Sequence, residues 1–351
     1  MRTPTWISSL APCEDGPMRT PGRRVVFLVC LAILLASSGV SAGATSRLVV
    51  TGYIEQGASP ALIDRSAAAL TTVGVDGVNL VNAGDRITAT DGSALTLLAR
   101  AHADGLRGEL LVGNFDNAIN GFSPTVAAAL LGNAANVTNV AGQLAQLVVG
   151  EGWDGITVDL ESLDAGDQTG LVEFLTALRG ALPAGRTISV DVSASTSLAD
   201  YAANGYDLAR LGVVVDRVVL MAYDQHGPWS QPGPIGALNW QRQTLKVLLT
   251  QISAAKVDLG VAGYGYTWPK GARLHQGTSV SDALARRLVH ANDVPAHWDV
   301  ASGEWTARLR NGTRLWWSDS RSYALRVALA ASMRLHGIAL WQLASADSLT
   351  K

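Results

Sequence analysis

Residues 153–161 read Trp-Asp-Gly-Ile-Thr-Val-Asp-Leu-Glu, a short β-branched and apolar run that ends on two acids. In a strand, successive side chains point to opposite faces, so Thr157, Asp159 and Glu161 share one face while Ile156, Val158 and Leu160 share the other. At a rise of about 3.3 Å per residue the two carboxyls project in parallel roughly 6 to 7 Å apart. Each then disfavours ionisation of the other, and one of them is expected to stay protonated and serve as an acid catalyst. Asp154 has the opposite parity from this pair, which suits a structural role at the start of the strand as well as a catalytic one.

Two acids on one strand act only if other elements bring a substrate surface to them. Seven further runs resemble this one. Strands are expected at 48–54, 77–82, 108–113, 155–160, 187–192, 217–222, 257–263 and 338–342, alternating with Ala- and Leu-rich stretches that begin near residues 60, 91, 124, 168, 198, 240 and 320. Repeated βα units of this number predict an α/β fold, a closed (β/α)8 TIM barrel. Such barrels build their sites at the C-terminal ends of the strands. Strand six ends in Met221-Ala222-Tyr223-Asp224 and strand eight in Trp341-Gln342, so these residues converge on Asp159 and Glu161 if the barrel closes.

One connection is long. Residues 264–320 separate strand seven from its helix, and a segment of that length is expected to carry structure of its own, a small α+β insertion. Within it, Asn311-Gly312 between two aromatic-containing runs predicts a hairpin.

The first 44 residues read as a leader that is cleaved, leaving 45–351 as the catalytic unit. Arg19, Arg23 and Arg24 precede an apolar run, 25–36, and then small residues through Ala42 and Ala44, the order of a secretory signal. Met-Arg-Thr-Pro occurs at both 1–4 and 18–21, which leaves Met1 and Met18 as alternative starts. An exported protein is expected. The apolar run is too short to span a bilayer, so no stable membrane anchor is expected. Cys13 and Cys30 both fall in the leader, so the remainder has no cysteine for disulfides or thiolate metal sites. The leader also holds four arginines and two acids, so the remaining net charge is −4, which argues against nucleic acid as a partner. The histidines at 102, 226, 275, 290, 297 and 336 show no spacing with carboxylates that suggests a zinc site, and no metal or cofactor is expected. Gly74, Gly77, Gly105 and Gly108 read as turns before strands and not as a phosphate cradle. A monomer is expected.

Taken together these pieces resemble glycoside hydrolase family 18, the chitinases and related N-acetylglucosaminidases, whose strand-four pattern is DGxDxDxE. Here it stands as Asp154-Gly155-Ile156-Thr157-Val158-Asp159-Leu160-Glu161. The strand-six motif stands as Met221-Ala222-Tyr223-Asp224, the strand-eight tryptophan as Trp341, and the Gly263-Tyr264-Gly265-Tyr266 turn is also family-like. The resemblance covers about residues 47–347. The run from Tyr223 through Pro232-Gly233-Pro234 to Trp240 looks most like the bacterial branch that includes spore-cortex-lytic glucosaminidases. The chain departs from the pattern at Thr157, where many members have an aspartate that shuttles charge with Asp159. A threonine hydroxyl there is expected to hydrogen-bond Asp159.

The resemblance implies hydrolysis of a glycan containing N-acetylglucosamine. Two carboxyls on one strand face approach from the same side, whereas ordinary two-carboxylate schemes need opposed groups. In the implied scheme Glu161 protonates the leaving oxygen, the substrate's 2-acetamido oxygen attacks the anomeric carbon, Asp159 orients the acetamido nitrogen, and Tyr223 holds the acetamido oxygen. Trp341 forms an apolar floor for the sugar, Met221 lies beside it, and Asp224, Gln225 and Tyr264 hydrogen-bond sugar hydroxyls. Trp229, Trp240 and Trp268 either line the cleft or pack beneath loops, and His226 is a loop residue that either touches substrate or does not. The alternative is a carbohydrate-binding relative that kept the barrel and lost catalysis. Such relatives usually lose the terminal glutamate, so joint retention of Glu161, Asp159 and Tyr223 favours an enzyme.

Overall fold

A computed structural model describes residues 48–81, 83–271 and 276–350. The leader with its two cysteines, Asn82 at the end of the second predicted strand, and His275 lie outside the described residues.

Eight parallel strands form a closed ring: β1 (Val49–Glu55), β2 (Thr72–Val81), β3 (Arg107–Gly113), β4 (Gly155–Asp159), β5 (Thr187–Ser193), β6 (Arg217–Met221), β7 (Val257–Ala262) and β8 (Gly337–Trp341). Each pairs with the next, and β8 returns to β1 through Val50↔Ile338 and Thr51↔Ala339. The ring closes because each crossover carries a helix with one apolar face. In the helix Gly92–Ala103, Ala94, Leu97, Leu98 and Ala101 recur at helical spacing and are buried, while the Asp91 carboxylate caps the N-terminus by accepting from the Ser93 and Ala94 amides. The outward-facing strand residues Ile156, Val158, Val190 and Leu220 join those helix faces in one continuous core.

β2 begins at Thr72, five residues before the start expected from the sequence, because Gly74 and Gly77 lie within the strand. At Gly74 a Cβ would come within 2.4 Å of the Tyr53 ring, so the absent side chain makes room for a neighbour inside the barrel. Gly77 sits where the β2–β3 register shifts between Asp76 and Val78. Gly108 is likewise a strand residue, pressed by Leu98 from the helix above it. Of the four glycines read as turns, Gly105, at φ +71°, is in one.

Between β7 and the helix Ser320–Ser332 stands a five-stranded antiparallel sheet with the helix Asp282–Ala291 packed on it. Its strands are Tyr264–Trp268, Thr278–Ser281, His297–Asp299, Glu304–Arg308 and Arg314–Trp317. The last two form a hairpin through Asn311-Gly312, with Gly312 at φ +87°. This sheet is tied to the barrel by a buried ion pair, Arg326 Nη2 to Glu304 Oε1 at 3.1 Å. Glu304 also accepts from the Ile235 and Gly236 amides at 2.7 and 2.9 Å, and Arg326 donates to the Gly236 carbonyl at 2.7 Å. One carboxylate and one guanidinium thus fix the loop after β6, the sheet, and the helix Ser320–Ser332 against one another. Among the described residues no helix is long and apolar enough to cross a membrane.

Candidate active site

The C-terminal ends of the barrel strands surround a cavity of about 470 Å³ into which Asp159, Glu161, Met221, Tyr223, Asp224 and Trp341 open. Glu161 stands just past the last paired residue of β4, where backbone pairing no longer fixes it. Asn114, at the end of β3, takes over: its Oδ1 accepts from the Glu161 amide at 2.9 Å and its Nδ2 donates to the Glu161 carbonyl at 2.9 Å. A second donation to the Ser123 carbonyl at 3.0 Å locks the Asn114 side chain in place. The chain then turns away at Ser162, with φ +59°, and the Glu161 carboxyl is left without a hydrogen bond to any described residue, facing the cavity.

Burial, with Asp224 nearby, pushes the Glu161 pKa up to about 7. This is the range in which a carboxyl holds its proton near neutrality and can still give it away. Asp159 is pushed well above the ordinary carboxylate range by burial first, then by Glu161, Asp191 and Asp76. Tyr223 faces the same cavity, and no described residue accepts its hydroxyl proton. Its ring fits because β7 carries Gly260, where a Cβ would come within 3.1 Å of the Tyr223 Cε1 atom and 2.5 Å of the Leu220 carbonyl. Trp341 lies 5.9 Å from Tyr53, centroid to centroid, at an interplanar angle of 52°. Its neighbour Gln342 donates to Glu55 at 2.7 Å.

Asp224 adopts a left-handed backbone, φ +56°, uncommon outside glycine. Its carboxylate accepts from the Tyr264 hydroxyl at 2.6 Å and the Tyr266 hydroxyl at 3.0 Å, so two insertion residues hold it at the cavity edge. Tyr264 is therefore spent on Asp224 and does not line the cavity. Gln225 does not line it either. Its Oε1 accepts from the Ala237 amide at 3.0 Å, and its backbone amide donates to the Ile235 carbonyl, so it braces the loop after β6. His226 does similar work, donating from Nδ1 to the Pro234 carbonyl at 2.9 Å. Trp268 packs beneath that loop with its indole N–H on the Gly227 carbonyl, Trp240 packs against the main core, and Trp229 remains 45% exposed against the edge of Tyr266.

Asp154 stands at the opposite end of the barrel from Glu161, accepting from the Gly108 amide and His102 Nε2, each at 2.9 Å. It does not border the cavity. Burial raises its pKa, but the Gly108 amide and His102 outweigh that and hold it below the ordinary value. Thr157 is buried and makes no hydrogen bond to Asp159; its neighbour inside the barrel is the Tyr53 hydroxyl. The expected Thr157 to Asp159 bond is absent because Thr157 lies one turn of the strand alternation deeper, level with Leu111 of β3 and Ser189 of β5. Among the described residues no group of three or more metal-ligating side chains gathers.

Sequence reasoning missed several cavity residues. Asp76 of β2, raised to about 6 by burial and by Glu55, and Asp191 of β5 are isolated acids in apolar strands. The only signal for Asp191 was its parity within the expected strand 187–192, and Asp76 lay outside the expected strand 77–82, beside a register break that parity does not cross. Phe115 and Phe122 come from a short hairpin after β3, where their rings meet edge-on at 5.5 Å and form a wall. Nothing in the sequence distinguished them from packing residues.

The sequence pattern described as Glycosyl hydrolases family 18 matches residues 90–347. YdhD of Bacillus subtilis (strain 168), which carries the name of a sporulation-specific glycosylase, is 29% identical over 229 residues, covering 64% of this chain and 54% of YdhD. A cortical fragment-lytic enzyme of Bacillus anthracis is 26% identical over 245 residues, covering 67% of this chain and 56% of that protein. The chain thus spans about half the length of the curated relatives it matches. Among solved structures, a chitinase from Chromobacterium violaceum superposes with a TM-score of 0.77 at 26% identity, covering 86% of this chain and 95% of that one.

Proposed function

Because this chain belongs to glycosyl hydrolases family 18, we propose that it is a secreted glycosidase cleaving β-1,4 bonds of glycans rich in N-acetylglucosamine, by substrate-assisted catalysis with retention. The observation that carries this reading is the convergence of Asp159, Glu161, Tyr223 and Trp341 on one cavity, with the Glu161 carboxyl free of hydrogen bonds to the described residues and raised to about 7.

Glu161 donates its proton to the glycosidic oxygen as the bond to the anomeric carbon breaks. The 2-acetamido oxygen of the same sugar closes on that carbon and forms an oxazolinium ring. Asp159, as carboxylate, accepts from the acetamido N–H and offsets the positive charge. The Tyr223 hydroxyl, which no described residue engages, donates to the acetamido oxygen. Water then adds to the anomeric carbon, giving its proton to Glu161 and restoring the acid. Trp341 supplies the flat apolar surface beneath the sugar ring. Asp224 is available to the sugar hydroxyls, with Tyr264 and Tyr266 holding its orientation.

Chitin oligosaccharides and peptidoglycan both contain the required acetamido sugar. The similarity to a cortical fragment-lytic enzyme favours a wall glycan, and the apolar run at 25–36 behind three arginines favours export. The test is turnover of chitooligosaccharides and of isolated peptidoglycan, with the anomeric configuration of the product followed by proton NMR. Retained β configuration, abolished by Glu161→Gln, is expected. Binding without turnover supports the carbohydrate-binding alternative, and an inverted product rules out the acetamido mechanism.

A further inference from the structure

The catalytic strand lacks an acid at position 157, and the neighbouring strand carries Asp191 level with Asp159. β4 and β5 run parallel with Thr157 opposite Ser189 and Val158 opposite Val190. Continuing that register by one residue sets Asp191 beside Asp159, both on inward parity. Asp191 is 4% exposed and Asp159 7%, both border the cavity, and each has one buried carboxyl oxygen, Oδ1, with no hydrogen-bond partner among the described residues. An unpartnered buried carboxyl oxygen is costly, and two of them on adjacent strands offset each other if they share a proton.

The surroundings of Asp191 suit that use. Below it, Arg217 of β6 forms a buried ion pair with Glu109 of β3 and donates to Ser189 at 2.9 Å, so positive charge sits under the carboxyl. Asp258 of β7 lies on the same floor, Tyr53 of β1 and Tyr223 form the walls, and Glu161 stands above. Burial, then Glu161, raises the Asp191 carboxyl, while Arg217 limits the rise.

We propose that Asp191 supplies from β5 the inner carboxyl that β4 lacks at Thr157, acting as a positioning residue that holds Asp159 and exchanges one proton with it. This rests on the mechanism proposed above. Before reaction one proton is held between the two aspartates. When the acetamido oxygen closes on the anomeric carbon, that proton resides on Asp191 and leaves Asp159 as the carboxylate facing the acetamido N–H. When water opens the ring, the proton is shared again, with no net gain or loss.

The experiment compares wild type, Asp191→Asn, Asp191→Ala and the exchange variant Thr157→Asp/Asp191→Ala, on triacetylchitotriose and on peptidoglycan, across pH. Asp191→Asn is expected to lose about 10- to 100-fold in kcat with KM little changed and to shift the pH profile. The exchange variant is expected to recover most of the activity that Asp191→Ala loses. Wild-type kcat and pH profile in Asp191→Asn, or an exchange variant no better than Asp191→Ala at equal melting temperature, overturns the assignment. Carbon-13 titration of aspartate carboxyls in the wild type needs no substitution. Two carboxyls titrating in linked steps are expected, and ordinary titration of every aspartate overturns it. A wild type inactive on both substrates removes the proposed function itself, whereas an active wild type indifferent to Asp191→Asn removes only this inference.

Discussion

The side-chain amide of Asn114 and the backbone of Glu161 are joined by two hydrogen bonds of 2.9 Å, one in each direction. The arrangement extends β3–β4 pairing by one rung, with a side chain standing in for a strand, at the point where β4 ends and its acid must be aimed. Replacing Asn114 by Ala frees the Glu161 backbone and leaves a buried amide and carbonyl unpaired. We expect about 1–3 kcal/mol of lost stability and a fall in kcat of about 10- to 100-fold, read by thermal melting and steady-state kinetics. Unchanged kcat would mean that the acid is aimed by something else.

Glu161→Gln keeps the shape of the acid and removes its exchangeable proton. A loss in kcat of about 10²- to 10⁴-fold is expected, with binding of triacetylchitotriose retained by calorimetry. Loss of binding together with turnover would point to misfolding instead.

The same carboxyl links pH to stability. Its pKa is 4.5 in its ordinary state and about 7 in the folded protein, so the folded state holds the proton more tightly. The associated stability is full below pH 4.5 and is lost as pH rises through 7. At 1.36 kcal/mol per pKa unit this amounts to about 3 kcal/mol at most. Glu161→Gln is therefore expected to melt higher than wild type at pH 8 and to differ little from it at pH 4. Equal melting temperatures at pH 8 would refute the raised pKa. The wild-type rate is expected to fall above about pH 7, as Glu161 loses the proton it must donate.

Trp341 lines the cavity and packs against Tyr53. Trp341→Ala removes the apolar floor without removing a proton donor. The expected result is a rise in KM of about 10-fold or more with a smaller effect on kcat, since the lost contact is apolar and made in the ground state too. A fall in kcat alone would assign Trp341 to the transition state.

The Glu304–Arg326 pair predicts an asymmetry between its variants. Arg326→Met leaves Glu304 buried with only its two backbone donors, and a loss of about 3–5 kcal/mol is expected in chemical denaturation. Glu304→Gln/Arg326→Met removes both charges and is expected to recover part of that loss. A double variant worse than the single would show that geometry, not charge, holds the junction.

The sequence alone determined the number and order of the barrel strands, since βα alternation is written in local hydrophobic period and survives whatever the strands pack against. It also determined the inward parity of Asp159 and Glu161, because alternation along one strand needs no partner. Meetings between strands were decided by the tertiary structure. Asp191 and Asp76 are ordinary acids until the register sets them beside Asp159 and Glu55. Gly74 and Gly108 look like turns until a neighbouring side chain is seen to need their space. Tyr264 and Gln225 stand next to the site in sequence but turn to Asp224 and Ala237, because hydrogen-bonding groups near a buried loop are consumed by its nearest unsatisfied partners, and those partners are fixed only when the chain closes on itself.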